Sequence, residues 1–204
     1  MTRKHILVSY KGVLALLGFS AYVTEIAVLI ERGDFNFTNF FSYFTIESNI
    51  LLVFSLLIGA SAIAAGSKSR FVDYFRGAVV FYMVTVGVIF SLLLSGYVAL
   101  TAVPWDNIVL HYIMPIVALV DWIIDPPKSR VDFKKALSWL IFPVVYLGYS
   151  LIRGMLTDWY PYPFLNIESN GVAGVALVSA GILVFGVIVI YVLTHMPKHL
   201  QVKR

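Results

Sequence analysis

The sequence predicts an all-α integral membrane protein, a single bundle of six transmembrane helices with both termini in the cytoplasm. Three observations carry that expectation. Hydrophobic residues make up 60% of the 204 positions and charged residues only 13%, with a mean hydropathy of +0.88, a balance found where lipid is the solvent. Six apolar runs reach the roughly 20 residues that cross a bilayer. All of the basic residues except Arg32 and Arg153 fall on one side of a six-span arrangement, the asymmetry expected of cytoplasmic loops.

The runs follow one another in order. Ile6–Ile30 is too long for a signal-peptide core and lacks a small-residue cleavage site, so it reads as a retained helix. Glu31-Arg32-Gly33-Asp34 breaks it, and Phe40–Ala65 is the second run. Gly66-Ser67-Lys68-Ser69-Arg70 leads to the third, Phe75–Leu100, and Pro104 marks the start of the fourth, Trp105–Ile124. Pro126-Pro127-Lys128 precedes Ala136–Leu156, and a segment containing Pro161 and Pro163 precedes Val172–Leu193. No internal repeat or low-complexity linker interrupts the series, so residues 1–204 read as one domain.

Charge sets the orientation. Arg3, Lys4 and Lys11 sit at the N-terminus, Lys68, Arg70 and Arg76 around the second loop, Lys128, Arg130, Lys134 and Lys135 in the fourth, and Lys198, Lys203 and Arg204 in the tail. Five or seven spans would scatter this pattern. The net charge of +4 is explained by these short loops, so nucleic acid is not an expected partner. The absence of cysteine excludes disulfides, thiolate metal sites and cysteine nucleophiles.

The second run opens with unusual polarity. Ser42, Thr45, Glu47, Ser48 and Asn49 crowd its first turns, and unpaired polar groups in hydrocarbon are costly. Thr45, Ser48 and Asn49 stand at i, i+3 and i+4 and share a helix face, from which Glu47 points away. With a helix starting at Phe40, Thr45 lies roughly 8 Å below its outer end. His111 falls at nearly the same depth on the fourth span. Glu25, Arg153, the loop from Asp158 to Leu165, Asn166 and Asn170 belong to the same outer layer.

Each candidate has an ordinary reading as well. Threonine in a membrane helix commonly bonds back to a carbonyl one turn earlier; as a nucleophile it needs a base. His111, the histidine within a span, suits that base, and it equally suits a helix-to-helix hydrogen bond. A metal or haem site is not expected, because a second imidazole at matching depth is missing. Arg153 calls either for a carboxylate, Glu25 or Glu47, or for an anionic lipid head group. Asp121, roughly 15 Å along the helix from His111, is too far for a catalytic triad; with Asp125 and the basic loop it reads as an ion pair or cap at the cytoplasmic edge. The Tyr160–Leu165 segment reads as an interfacial aromatic belt, or as a stiffened lid or lipid entrance over the site.

Phe44-Thr45, then His111 with Pro115, then Tyr162-Pro163-Phe164-Leu165 before the last helix resemble, in that order, the androgen-induced and androgen-dependent TFPI-regulating protein family. Phe41-Ser42-Tyr43-Phe44-Thr45-Ile46 with Ser48-Asn49, His111-Tyr112, Pro115 and Asp121-Trp122 are more similar still to bacterial six-helix membrane proteins. Glu47-Ser48-Asn49 departs from the animal sequences. The resemblance implies an intramembrane threonine hydrolase without a cofactor, with Thr45 as nucleophile and His111 as its partner. It implies lipid-ester substrates, fatty acid esters of hydroxy fatty acids among them, and a place in the bacterial cytoplasmic membrane. Ser48, Asn49 or a nearby tyrosine hydroxyl are the candidate oxyanion donors, and Ser48, Asn49, Arg153, Glu25 and Tyr162 are the candidate substrate-binding or supporting groups. The competing expectation is a non-enzymatic carrier or sensor of a lipid or small anion, with Arg153, Glu25 and His111 lining its cavity.

Overall fold

The computed structural model describes residues 2–96 and 102–196, and among these residues the regular structure is helical throughout. The elements are α1 (Arg3–Arg32), α2 (Phe37–Phe40), α3 (Phe44–Ala64), α4 (Arg70–Ile89), α5 (Pro104–Ile108), α6 (Met114–Ile124), α7 (Phe133–Ala136), α8 (Ile141–Thr157) and α9 (Ile167–His195). Two π-helical segments interrupt the order: Phe90–Leu94 continues α4, and Val109–Ile113 joins α5 to α6. A 3-10 turn, Leu137–Leu140, joins α7 to α8. Six continuous helical stretches are long and apolar enough to cross a membrane: Arg3–Arg32, Phe44–Ala64, Arg70–Leu94, Pro104–Ile124, Phe133–Thr157 and Ile167–His195. The chain therefore has the build of a multi-pass membrane protein. Lys198, Lys203 and Arg204 lie outside the described residues, as does the Leu100 end of the expected third span.

Local chemistry sets the helix limits. Thr2, Ser69, Asp132 and Asn166 each accept a backbone N–H in the first turn that follows them, which satisfies donors that have no partner within the helix. α1 ends at Gly33, whose φ of 76° lets its N–H turn back to the carbonyls of Leu29 and Ile30. Gly171, at φ 67° and ψ 161°, breaks the start of α9, so the regular part of that span begins at Val172. The second span begins at Phe44, not Phe40. The side chain of Asn36 caps the short α2, and the chain turns through Phe41, Ser42 and Tyr43 before α3 starts. Thr45 consequently stands in the first turn of its helix.

α4 is the most enclosed span; it packs against α3, α6 and α9, while α1 lies along α3. Leu16, Leu156 and Leu177 face outward from α1, α8 and α9, as expected of side chains in contact with lipid.

One end of the bundle is locked by charge. Lys11 of α1 is fully buried and pairs with Asp121, lying 3.2 Å from Asp125 Oδ2. Arg76 of α4 is 2.8 Å from Asp121 Oδ2 and 3.2 Å from Asp125 Oδ2, and it donates to the Asp125 carbonyl at 2.7 Å. Tyr10 donates to Asp121 as well. Lys11 and Arg76 are thus not loop charges. Each sits inside the bundle because a carboxylate on α6 or just beyond it matches its charge. Asp121 does form an ion pair, but with α1 and α4 and not with the basic loop. The same end is tied by Lys4, which donates to the Ala64 carbonyl at 2.7 Å, and by Asp73, which accepts from the Ser129 N–H at 2.7 Å and its hydroxyl at 2.8 Å.

Candidate functional site

The opposite end is built on the turn before α3, which tyrosines hold. Ser42 Oγ lies 2.6 Å from the Thr38 carbonyl and 2.7 Å from the Tyr149 hydroxyl. Tyr146 donates to the Ser42 carbonyl at 2.9 Å and its oxygen accepts the Phe44 N–H at 3.3 Å. No side chain caps α3 from the adjoining turn. Its free donors are met instead by phenols from distant parts of the chain. Tyr162 takes the next one, accepting the Thr45 N–H at 3.2 Å, and lies 3.3 Å from Thr45 Oγ1. The Ile46 N–H, which follows, makes no hydrogen bond to the described residues. It is a donor available at a helix N-terminus, where the dipole favours negative charge.

His111 comes from the π-helical segment between α5 and α6 and is buried. Its ring stacks on Phe90, at 3.9 Å between centroids, and Phe90 begins the π-helical segment of α4. Two π-segments thus meet ring to ring, an irregularity that recurs at functional sites. His111 Nδ1 is 3.1 Å from the Asn107 carbonyl. A carbonyl only accepts, so Nδ1 carries the proton, and in the neutral ring Nε2 keeps its lone pair. Asn49 ties the two halves together: its amide donates to the Thr45 carbonyl at 2.9 Å and to the Leu110 carbonyl at 3.2 Å.

Two cavities open here. The first, of about 350 Å³, is the more polar of the two: Glu25, Arg32, Asp34, Asn36, Asn39, Tyr43, Thr45, His111 and Tyr162 share its lining with Leu29, Phe40, Ile46, Leu110 and Trp159, among others. The second, of about 320 Å³, is apolar and runs between α4, α8 and α9, lined by Phe44, Thr45, Phe81, Thr85, Phe90, Leu94, Leu140, Leu147, Tyr162, Phe164, Ser179 and Leu183, among others. Thr45 and Tyr162 are the residues common to both linings. The His111–Phe90 stack is divided in the same way, His111 on the polar side and Phe90 on the apolar side. Thr45 stands in the wall between a chamber with charged and amide groups and one that is almost wholly apolar.

The expected site residues separate into groups. Thr45, His111, Glu25 and Tyr162 share the polar cavity. No hydrogen bond joins Thr45 to His111; they face a common space. Ser48 and Asn49 are fully buried behind it, and the Asn49 amide is directed to backbone carbonyls. Arg153 meets neither Glu25 nor Glu47. It donates to Asn39 Oδ1 at 2.7 Å and lies over the Trp159 ring at 4.3 Å, bracing two residues of the cavity wall from outside, while its Nη1 is buried without a hydrogen bond to the described residues. Glu25 accepts the Ala102 N–H through both oxygens, at 2.7 and 2.9 Å, and Asp106 adjoins it. The loop after α8 lies across both chambers: Trp159 lines the polar cavity, Phe164 and Leu165 the apolar one, and Tyr162 both. Burial pushes the Tyr43 phenol above its ordinary range and the Tyr162 phenol up to about 12, so Tyr162 keeps its proton at neutral pH.

Arg32, Asp34, Asn36, Asn39, Asp106, Phe90 and the Ile46 N–H were not among the residues expected at the site. Arg32 and Asp34 were visible in the sequence as a polar break between spans. Asp106, two residues after Pro104 at the start of the fourth span, stands close to His111 in sequence. A backbone donor leaves no trace in side-chain chemistry, and a π-helical segment has no composition of its own.

Comparison of the chain with protein-family models, with curated proteins and with solved structures finds no match.

Proposed function

We propose that the protein is an intramembrane hydrolase of lipid esters, with Thr45 as nucleophile and His111 as base, and that it needs no cofactor. The observation that supports this most is the shared polar cavity, in which a hydroxyl at a helix N-terminus faces an imidazole whose Nε2 is uncommitted. The resemblance to the androgen-induced family, on Phe44-Thr45, His111 and Tyr162-Pro163-Phe164-Leu165, points the same way.

In the proposed cycle Thr45 Oγ attacks the ester carbonyl and its proton passes to His111 Nε2. No hydrogen bond joins Thr45 to His111 directly, and in the proposed cycle the proton passes through one cavity water. The tetrahedral oxyanion forms over the first turn of α3, where the Ile46 N–H and the Tyr162 hydroxyl are the donors. His111 returns the proton to the departing alcohol. Water, deprotonated by His111, then attacks the acyl-Thr45 ester; the fatty acid leaves and Thr45 regains its proton. We further propose that both termini are cytoplasmic and that the membrane is the bacterial cytoplasmic membrane. Arg3, Lys4, Lys68 and Lys128 support that orientation, gathered at the end of the bundle away from the cavities.

The test is covalent capture. A fluorophosphonate should modify Thr45 of the purified protein in detergent, and the same preparation should release fatty acid from an ester. Labelling at another residue would overturn the threonine mechanism. Saturable lipid binding with neither labelling nor turnover would favour the non-enzymatic binding protein.

A further inference from the structure

Building on the hydrolase reading, we infer that the substrate is the ester of one fatty acyl chain with a small, uncharged, polyhydroxyl alcohol, of the monoacylglycerol kind. The acyl chain occupies the apolar cavity and the alcohol the polar one, with the ester at Thr45.

Volume, shape and charge each carry part of this. The cavities share Thr45 and Tyr162 as wall residues, and we place the ester carbonyl at Thr45 Oγ1 with one arm of the substrate in each. The α4 wall of the apolar cavity runs from Phe81 to Leu94, about 20 Å at 1.5 Å per residue, the reach of a long acyl chain. If a methylene needs about as much room as a water, roughly 30 Å³, the cavity of about 320 Å³ holds about ten carbons of one chain and no second chain beside it. The rest of the chain passes between α8 and α9 toward the lipid.

The other arm meets different chemistry. Glu25 and Asp34 place two carboxylates on the polar cavity against one guanidinium, Arg32, with the amides of Asn36 and Asn39 between them. Carboxylates and amide oxygens accept from hydroxyls, and amide N–H groups donate to them. A carboxylate or phosphate on the alcohol would meet two carboxylates, Glu25 and Asp34, against the single guanidinium of Arg32. A long-chain alcohol would force a hydrocarbon against groups that want water or hydroxyls. A hydroxy-fatty-acid ester, with a second chain and its own carboxylate, suits neither chamber.

The experiment compares three palmitate esters on the purified full-length protein: of glycerol, of hexadecanol and of 12-hydroxystearic acid. p-Nitrophenyl acetate, which needs neither cavity, reports the Thr45 chemistry alone. The glycerol ester should be preferred in kcat/KM by at least about tenfold. Thr85→Phe or Ser179→Phe, from the α4 and α9 walls of the apolar cavity, should lower the ratio of glycerol-ester to acetate kcat/KM by about tenfold or more; an unchanged ratio in both would refute the placement of the acyl chain. Asp34→Leu, at the exposed rim, should raise KM for the glycerol ester and for nothing else. Preference for the hydroxystearate ester, lost in Arg153→Gln, would overturn the inference while the hydrolase reading stood. Failure to cleave even the acetate would remove the hydrolase reading, and placement would then be read directly. A monoacylglycerol with a diazirine at its chain end should crosslink within the apolar cavity, in competition with monopalmitoylglycerol. Crosslinks confined to lipid-facing residues such as Leu16 or Leu177 would refute it.

Discussion

Replacing Tyr162 by phenylalanine removes one oxygen and little else, because the ring keeps its stacking on Phe164 at 5.3 Å and its edge contact with Tyr43 at 5.8 Å. That oxygen accepts the Thr45 N–H at 3.2 Å and lies 3.3 Å from Thr45 Oγ1. Leaving a buried N–H unpaired costs about 1–3 kcal/mol. The lower part of that range applies, since both contacts are long and the adjoining polar cavity can admit a water. If Tyr162 also donates to the oxyanion, its loss acts on the transition state, and one such donor is worth about a hundredfold to a thousandfold in kcat. The assay is steady-state hydrolysis of a short activated ester in detergent, with melting temperature measured on the same preparation. The expected result is a fall in kcat of about a hundredfold with KM changed by less than about threefold. A kcat within about threefold of the parent, together with a lowered melting temperature, would refute the oxyanion role and leave Tyr162 as a cap for α3. The phenol also has a pH signature. Folding holds its proton up to about 12, above the ordinary 10.0, so the stability it contributes is complete below pH 10 and is lost as pH rises through about 12. No loss of activity near neutral pH should trace to it.

Thr45→Ala should abolish turnover and fluorophosphonate labelling without unfolding the bundle, whereas Thr45→Ser should keep part of both; full activity in Thr45→Ala would leave His111-activated water as the nucleophile. His111→Ala should slow labelling and turnover alike, and combining it with Thr45→Ala should add almost nothing, as for residues acting as one unit. Lys11→Met leaves Asp121 and Asp125 facing Arg76 alone, and should destabilise by about 3–5 kcal/mol in thermal or denaturant unfolding while the folded fraction keeps its kcat. A reporter fused after Arg204 should be active as a cytoplasmic marker and one inserted near Tyr162 as an external marker; the reverse would overturn the orientation.

How much of this could be read from the chain depends on which physical quantity was needed. Six helical crossings follow from apolar length, which composition displays directly. Depth is only partly legible: a count from Phe40 sets Thr45 level with His111, but α3 starts at Phe44, and it is the shared cavity that brings the two residues together. Direction around the helix is less so. Thr45, Ser48 and Asn49 share a face by spacing, yet Thr45 lines the cavity while Ser48 and Asn49 are fully covered; the start of α3 at Phe44 puts Thr45 in the first turn, beside Tyr162. That start depends on Tyr146, Tyr149 and Tyr162, more than a hundred residues away. Lys11 and Arg76 looked like loop charges because each adjoins the end of an apolar run. Only the carboxylates of Asp121 and Asp125 reveal them as interior, and pairing across helices is a tertiary fact.

The two ends of the bundle divide the work. At one end, Lys11, Arg76, Asp121 and Asp125 balance two positive charges against two negative ones with almost no exposure. A cluster of this kind adds little net stability but is costly to open. It fixes α1, α4 and α6 relative to one another, and α6 continues from the π-segment that carries His111. Lys11 and Glu25 are fourteen residues apart on α1, about 21 Å by helical rise, so the charged lock and the polar cavity are separated by most of a membrane's thickness. The other end is held by phenol hydroxyls and stacked rings, contacts of neutral groups that a lipid can displace and restore without exposing a charge. The loop carrying Tyr162 is held by such contacts, by Arg153 over Trp159 at 4.3 Å and by Asn170, which donates to the Pro163 carbonyl at 2.8 Å. On the proposed function, a lipid ester would reach Thr45 past that loop, while the charged lock keeps α1, α4 and α6 in place.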